Sequence, residues 1–335
     1  MLQSLLASLV LFIFIDGQAQ QQLWIEYHPD KENARQKHIV LISGDEEYRS
    51  EEALPMLAQI LSKKHGFRCT VLFAIDPANG SINPDITSNI PGLEHLDNAD
   101  LMVIFTRFRN LPEQQMSYID KYLKAGKPVV GIRTATHAFN FEKDKKNRFA
   151  HYDYQSKKDG WKNGFGKKIL GETWISHHGD HGKEGTRALV NGMYKNAGNV
   201  ILNGVRDIWC PSDVYTTADL PPGARVLLYG QPTAGMTASS PANLDKSIMP
   251  VAWTMLYEVS PGKKGRAFTS TMGAAVDLQN EDLRRLLVNA CFWAMNLEKQ
   301  IPKKADVSFI SSYKPTMFGF DGFQRGLYPS NYAIK

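Results

Sequence analysis

The segment SHHGDHGKEG, from Ser176 to Gly185, concentrates potential catalytic side chains. Its imidazoles, His177, His178 and His181, lie within five residues, and imidazole both transfers protons near neutral pH and binds transition metals. A spacing of four would align His177 with His181 on a helix, but the glycines in the segment disfavour a helix. We therefore predict proton transfer or substrate contact by His177 or His178. Metal binding by His177 and His181 and a solvated loop are the alternatives, and the leading prediction includes no cofactor.

A second group of candidates follows the apolar run PVV, in the segment GIRTATH from Gly131 to His137. A strand, a glycine, a tight turn and a helix start are typical of a nucleophile elbow, which pushes one side chain into a cleft. The tip is Arg133 or Thr134, and we expect both to bind oxygen atoms of a substrate. His137 would act as a general acid or base or bind a substrate hydroxyl, and the alternative is a histidine that hydrogen-bonds a backbone group.

Further candidates follow the first predicted strand. Asp45 ends that strand and opens towards the cleft, so we predict a general base or a ligand of a substrate hydroxyl, with capping of the next loop as the alternative. Tyr48 is a candidate substrate ligand, whereas Glu46 and Glu47 are expected to be solvated. Trp174 is a candidate for stacking on a substrate ring, although a packed tryptophan is the commoner outcome.

These side chains need a scaffold that brings strand ends together. Apolar runs that end in turn residues predict strands, and amphipathic helical segments alternate with them in the first half of the chain. This alternation is typical of βαβ units and a mostly parallel sheet, whose ligands bind beyond the carboxyl ends of the strands. The predicted strands are 38–44, 69–75, 100–106, 128–132, 225–229, 251–259 and 265–271, and the helices start near Ser50, at Pro112 and after Asn280.

The charge of the chain is concentrated in one segment. The 335 residues carry a formal charge of +5, from 39 basic and 34 acidic residues, which is well short of a dedicated nucleic-acid-binding protein. Residues 141–168 hold nine basic and four acidic side chains and account for the whole excess. We interpret 141–170 as an insertion that forms either a solvated loop or a rim attracting an acidic substrate. Nucleotide-binding glycine motifs are absent from the sequence.

Both ends of the chain carry distinctive segments. Residues 5–15 form an apolar run before Gly17 and Ala19, which is typical of a signal peptide spanning residues 1–19, and an uncleaved buried segment is the alternative. Three cysteines are too few for a disulfide scaffold. We therefore predict a periplasmic or extracellular protein, cleaved after Ala19, without a membrane span. Residues 303–335 hold seven aromatic side chains and are predicted to pack back on the domain as a tail.

The motifs together resemble a known family. GIRTATHAF after PVV, the HHGDH segment, and the later MPVAW, GKKGRAFTSTMGA and LRRLLVNACFWAM are similar to the ThuA-like, trehalose-utilisation family from about His38 to Pro302. The resemblance implies a fold similar to class I glutamine amidotransferases: a flavodoxin-like, doubly wound, mostly parallel sheet with helices on both faces. It also implies use of disaccharides through 3-keto sugars. Family members often carry histidine where this chain has Arg133 and Ala274, and no cysteine lies at the elbow, so glutamine hydrolysis is not expected.

The sequence thus predicts one α/β domain, residues 20–302, that acts on an oxidised (3-keto) sugar or disaccharide as a hydrolase, lyase or isomerase. His137 and one of His177 and His178 would transfer protons, with Asp45 assisting. A sugar-binding or surface protein that keeps the cleft without the chemistry, and a metal-dependent hydrolase, are the alternatives. The expected partner is a small carbohydrate and not nucleic acid, and homo-oligomerisation is left open.

Overall fold

One ten-stranded sheet organises the molecule. The computed structural model describes residues 22–190 and 198–334, so the predicted signal peptide, residues 1–19, lies outside the described residues. The strands are β1 Trp24–Tyr27, β2 His38–Gly44, β3 Arg68–Leu72, β4 Leu101–Thr106, β5 Val129–Ile132, β6 Thr186–Ala188, β7 Ile208–Cys210, β8 Arg225–Pro232, β9 Met249–Glu258 and β10 Lys264–Ser270. Their spatial order is β1-β3-β2-β4-β5-β10-β9-β8-β6-β7.

Half of this sheet is parallel and carries the helices. Strands β3, β2, β4, β5 and β10 run parallel to their neighbours, and β2 and β4 are buried along their whole length. The α-helices of the described residues are α1 Ser50–Lys63, α2 Glu113–Lys124 and α3 Glu281–Ala294. Helices α1 and α3 pack on one face of the sheet, and α2 packs on the other. The βαβ pattern of the first half is therefore present.

The other half of the sheet is antiparallel. Strands β10, β9, β8, β6 and β7 pair antiparallel in that order, and β1 adds antiparallel to β3 at the opposite edge. The prediction of a flavodoxin-like, doubly wound and mostly parallel sheet is therefore wrong: the sheet is mixed, parallel only in part, and poor in helices. The reason lies in the connections. Only VSPGK separates β9 from β10, which suffices for a hairpin but not for the crossover that parallel pairing needs.

Most element positions in the parallel half follow the prediction. Strand β2 occupies its predicted residues, and β3, β4 and β5 end within three residues of theirs. Asn280 caps α3 as predicted, since its Oδ1 accepts a hydrogen bond from the backbone N of Leu283 at 2.9 Å. Strands β1, β6 and β7 were not predicted because runs of three or four residues are too short to show a periodic pattern.

Two irregular segments pack on this frame. The C-terminal segment 303–334 contacts both the turn after β10 and the first strand: Tyr313 Oη donates to the Ala275 carbonyl at 2.7 Å, and Tyr27 Oη donates to the Tyr332 carbonyl at 2.8 Å. The segment 141–170 packs against α2, where Tyr152 Oη donates to Asp120 Oδ1 at 3.0 Å. The lysines at 143, 145, 146, 157 and 158 in this segment are exposed. Within the described ranges, no helix is long and apolar enough to span a membrane.

Candidate active site

The carboxyl ends of three parallel strands gather the predicted loops at one edge of the sheet. Strand β2 leads into Asp45, β4 into Arg107 and β5 into Arg133. This convergence follows from the parallel pairing of the strands and agrees with the position expected for the site. Two further segments, 176–181 and 212–216, cover this edge.

The histidine segment is extended and paired with residues 213–216. The backbone N atoms of His178 and Gly179 donate to the Val214 carbonyl at 2.8 and 3.0 Å, and His177 lies opposite Tyr215. Successive side chains of an extended chain point to opposite sides, so His177 and His178 diverge. His178 Nε2 hydrogen-bonds the Ser247 carbonyl at 2.7 Å, away from the other imidazoles.

Asp213 is the centre of the cluster, and sequence reasoning missed it. Its carboxylate is fully buried, and Oδ2 accepts a hydrogen bond from Nδ1 of His177 at 2.7 Å. Oδ1 lies 2.9 Å from Arg133 Nη2 and 3.2 Å from His181 Nδ1. Burial by itself would raise the pKa of Asp213, but Arg133 and the two imidazoles hold it well below its usual value. The carboxylate therefore stays ionised and orients both histidines.

The sequence signal for Asp213 is faint. Asp213 follows β7, a three-residue strand without a recognisable pattern. The residue before it is fixed by Asp277, whose carboxylate accepts from the backbone N of Ser212 at 3.1 Å and from Ser212 Oγ at 2.5 Å. Ser212 and Asp277 lie 65 positions apart, so only the folded chain brings them together.

Arg133 stands at the tip of the turn after β5, where its φ of 47° costs a residue with a side chain roughly 1–2 kcal/mol. Its buried guanidinium donates through Nη1 to the carbonyls of Asp213 and Thr271, at 2.7 and 2.6 Å. The rings of Tyr48 and Tyr215 lie 4.4 and 4.0 Å from the guanidinium carbon. The elbow thus directs a buried cation at Asp213. The predicted contact between Arg133 and a substrate stays a prediction.

Asp45 ties the loops after β2 and β5 together. Its buried carboxylate accepts from the backbone N of Glu47 at 2.7 Å, from the backbone N of Tyr48, and from Thr134 Oγ1. Thr134 and Tyr48 are fully buried too, and Tyr48 Oη accepts from Arg133 Nη2 at 3.2 Å. These bonds match the capping alternative for Asp45. Catalysis by Asp45 and substrate contacts of Thr134 and Tyr48 stay predictions.

Of the glutamates that follow Asp45, Glu47 is buried and Glu46 is half-buried and paired with arginines, so the expectation that they are solvated was wrong. Glu46 bridges Arg107 and Arg109, and Glu47 lies between Arg107 Nε at 3.2 Å and His181 Nε2 at 3.3 Å. Three consecutive acids are typical of a solvated loop, but the arginines after β4 lie beside β2 in the sheet and neutralise them. Burial raises the pKa of Glu47, although Arg107 opposes that shift. A second carboxylate therefore reaches His181.

His137 is buried among aromatic rings next to the histidine cluster. Its Nδ1 lies 3.2 Å from Thr136 Oγ1, and its ring centroid is 4.9 Å from that of Phe108 and 5.3 Å from that of Trp174. Burial, reinforced by neighbouring cationic groups, lowers the pKa of His137 well below its usual value. Its imidazole is therefore neutral at neutral pH. Trp174 is half-buried, and its ring also contacts His177 at 5.8 Å.

His177, His181 and Asp213 also provide the donor set of a transition-metal site. One ligand atom from each residue lies within 4.8 Å of the other two. Two imidazole nitrogens and a carboxylate oxygen are ligands that Zn²⁺ takes in catalytic sites, where one coordination position stays open. About one third of each imidazole is exposed, which leaves room for such a position. Arg133 competes with a metal for the same carboxylate.

These features define an α/β protein with an open histidine–aspartate site at the carboxyl ends of its parallel strands. The family model for ThuA, described as trehalose utilisation, matches residues 38–294, and the chain belongs to this family. The resemblance inferred from the motifs is thereby confirmed, and membership implies a carbohydrate-related role.

Two solved structures are similar to this chain. A ThuA-like protein from Parabacteroides merdae is 16% identical, with a TM-score of 0.50 over 78% of this chain and 90% of that chain. A ThuA-like protein from Bacteroides uniformis is 14% identical, with a TM-score of 0.47 over 80% of this chain and 95% of that chain. At such identities the likeness concerns the fold alone. Curated proteins yield no significant match.

Proposed function

We propose that this protein is an enzyme acting on a carbohydrate, and that His177, held by Asp213, moves a proton in the reaction. The 2.7 Å hydrogen bond between His177 Nδ1 and Asp213 Oδ2 carries the proposal. With Nδ1–H donated to an ionised carboxylate, Nε2 becomes the basic nitrogen, and the carboxylate stabilises the imidazolium that forms. The exposed third of the imidazole gives a ligand access to it.

The proposed substrate is an oxidised (3-keto) sugar or disaccharide. A ketone at C3 acidifies the hydrogen on C2, and imidazole is a suitable base near neutral pH. When that hydrogen leaves as a proton to His177, the electrons of the C2–H bond form an enolate. The enolate is either reprotonated, which is isomerisation, or expels the group on C1 with the C1–O electron pair, which is a lyase reaction.

Two aromatic residues support a sugar at this position. Trp174 offers a half-exposed indole beside His177, and an aromatic face suits the apolar face of a sugar ring. His137 is neutral and lies next to the same indole, so it is suited to a hydrogen bond with a sugar hydroxyl.

The proposal is tested by incubating the purified protein with trehalose, other disaccharides and their 3-keto derivatives, and identifying products by chromatography and mass spectrometry. We expect turnover of a keto sugar and a loss of about 10²–10⁴-fold in His177→Ala. His178→Ala is the matched control, because its imidazole is bonded to Ser247, and it should keep activity within about twofold of wild type. Binding of a sugar without product across the panel would instead favour a sugar-binding protein.

The ligand geometry of His177, His181 and Asp213 favours a second candidate, a metal-dependent hydrolase. Such an enzyme would purify with close to one equivalent of metal, and chelation would abolish turnover. Turnover that survives chelation and elemental analysis without metal would exclude it. If no metal is bound, His181→Ala should still weaken binding of the sugar.

We also propose that the protein is exported and that residues 1–19 are removed. The apolar run and the small residues before position 20 support this proposal. Fractionation of expressing cells and the mass of the recovered protein test it, and a cytoplasmic protein that retains residue 1 would overturn it.

A further inference from the structure

The C-terminal segment contacts residues of the candidate site. The ring of Phe318 contacts the ring of His181, with centroids 5.4 Å apart, and the Phe320 ring lies 5.0 Å from the guanidinium carbon of Arg107. His181 and Arg107 are the two partners of the buried Glu47. The two tail phenylalanines therefore contact the two ion-pair partners of one site residue.

Ring contacts continue from both phenylalanines into the candidate site. From His181 they pass to His177 at 4.6 Å, and from Arg107 to Phe108 at 4.5 Å. His177 contacts the ring of Trp174, and Phe108 contacts the ring of His137. The two series of contacts thus start from neighbouring residues of the tail, Phe318 and Phe320, and end at two rings that contact each other, Trp174 and His137.

Hydrogen bonds fix the tail in this place. Gly319 N donates to the Glu47 carbonyl at 2.8 Å, and Arg49 Nη2 donates to the Gly319 carbonyl at 2.5 Å. Just before it, Thr316 donates through its backbone N and its Oγ1 to Glu52, both at 2.7 Å. A segment held on both sides of Phe318 presents its rings in a defined position.

We propose that Phe318 and Phe320 form a subsite for the second ring of a disaccharide, the ring from which His177 takes no proton. The subsite rests on the proposed function. His181 separates Phe318 from His177, so a sugar ring over His177 and Trp174 leaves the next ring of a disaccharide against the tail. Phe320 is 58% exposed, which leaves its ring free to stack on an apolar sugar face.

This subsite is a feature of the chain outside its family core. The family match ends at residue 294, and both phenylalanines lie beyond it. Arg107, which lies between the rings of Phe108 and Phe320, adds donors for sugar hydroxyls next to the aromatic surface. Preference for a disaccharide over a monosaccharide is therefore a property of the tail.

Isothermal titration of the full chain with 3-keto-trehalose and with 3-keto-glucose tests the subsite. Wild type should bind the disaccharide more tightly, and Phe320→Ala should weaken that binding about fivefold while leaving the monosaccharide within about twofold. Phe320→Trp should restore the preference. Because Phe320 is mostly exposed, its truncation leaves no internal cavity, so a folding defect does not confuse the result.

Two other tail positions are matched controls. Met317→Ala removes an exposed side chain, and Phe309→Ala removes an aromatic ring that packs on Arg284 and Tyr313. Both should bind the two sugars as wild type does. Unchanged disaccharide affinity in Phe318→Ala and Phe320→Ala would overturn the subsite and leave the proposed function standing. Binding of neither sugar by wild type would overturn both.

Discussion

His177 donates through Nδ1 to Oδ2 of Asp213 across 2.7 Å, and the two residues lie 36 positions apart on paired extended segments. The same carboxylate holds the guanidinium of Arg133 through its other oxygen. One buried anion therefore serves two purposes: it orients the exposed imidazole and neutralises a buried cation. Changes at Asp213 should affect catalysis and folding together.

Asp213→Asn should destabilise the protein by about 3–5 kcal/mol, because Arg133 would remain buried without its anion. Urea unfolding followed by circular dichroism measures this loss. Asp219→Asn is the matched control: Asp219 pairs with Lys167 but is exposed, so its loss should cost less than about 1 kcal/mol. Equal stability of Asp213→Asn and wild type would contradict the charge pairing.

Arg133→Lys keeps the charge and the backbone strain but loses the planar fork that reaches two carbonyls and a carboxylate. We expect a loss of about 2–4 kcal/mol in the free energy of unfolding, since the buried acceptors lose their partners. The control is Arg187→Lys at an exposed pair with Asp207. Similar small effects at both positions would show that the fork is dispensable.

The parallel half of the fold could be predicted because its strands are continuous apolar runs that alternate with helical stripes. The antiparallel half could not, because its pairing depends on connection length, as at VSPGK, more than on the strands themselves. The short strands β6 and β7 carry too little pattern for prediction, although they position the segment that ends in Asp213.

The residues of the candidate site, too, could be predicted only in part. His177 was identifiable because three imidazoles within five residues are unusual, and the glycines correctly predicted that the segment is not a helix. The side chains of His177 and His178 point apart because the segment is extended and His178 N bonds to the Val214 carbonyl. Val214 lies 36 positions from His178, so the sequence contains no sign of this pairing. Glu47 gave no sign of burial, because Arg107, which neutralises it, comes from a neighbouring strand.

Glu51→Gln should raise stability at pH 8. Glu51 is buried, neither of its carboxylate oxygens has a hydrogen-bond partner within the described ranges, and burial raises its pKa from 4.5 to about 8. The pKa of Glu51 is higher in the folded state than in the unfolded state. The free energy of unfolding of the wild type is therefore at its full value below pH 4.5 and falls as the pH rises towards 8. We expect Glu51→Gln to be about 1–3 kcal/mol more stable than wild type at pH 8 and similar at pH 4.5.

Unfolding in urea at the two pH values measures the effect. Glu52→Gln is the control at the adjacent position, where the carboxylate accepts two hydrogen bonds from Thr316, and its pH profile should keep the wild-type slope. A Glu51→Gln profile with that same slope would refute the assignment.

His38 should produce a pH dependence of the opposite sign. Its ring accepts a hydrogen bond from Arg68 Nη2 at 2.9 Å, and burial, assisted by Arg68, lowers its pKa from 6.5 to about 4. The unfolded chain therefore takes up a proton that the folded chain does not. Stability is complete above pH 6.5 and falls by about 2–3 kcal/mol towards pH 4. Thermal melts of His38→Gln should show a smaller loss across this range, whereas the exposed His28→Gln should match wild type.

Trp174→Ala should weaken binding of the keto sugar about fivefold to tenfold, because the half-exposed indole beside His177 loses its stacking face. Trp174→Phe should have a smaller effect. Titration calorimetry measures both, with Trp161→Phe as a control in the 141–170 segment, where that indole packs on Tyr152. Wild-type affinity in Trp174→Ala would place the sugar elsewhere in the cleft.

The pairing of β5 with β10 has a kinetic consequence. Arg133 and Thr271, at the ends of these two strands, are bonded although they lie 138 positions apart. Closing so long a loop costs entropy before any contact repays it, which slows folding. During synthesis, the loops after β2, β4 and β5 emerge long before β10 and Thr271, whose carbonyl accepts a hydrogen bond from Arg133. The candidate active site should therefore be among the last parts of the molecule to form, and recovery of the proposed activity should lag behind recovery of secondary structure on refolding.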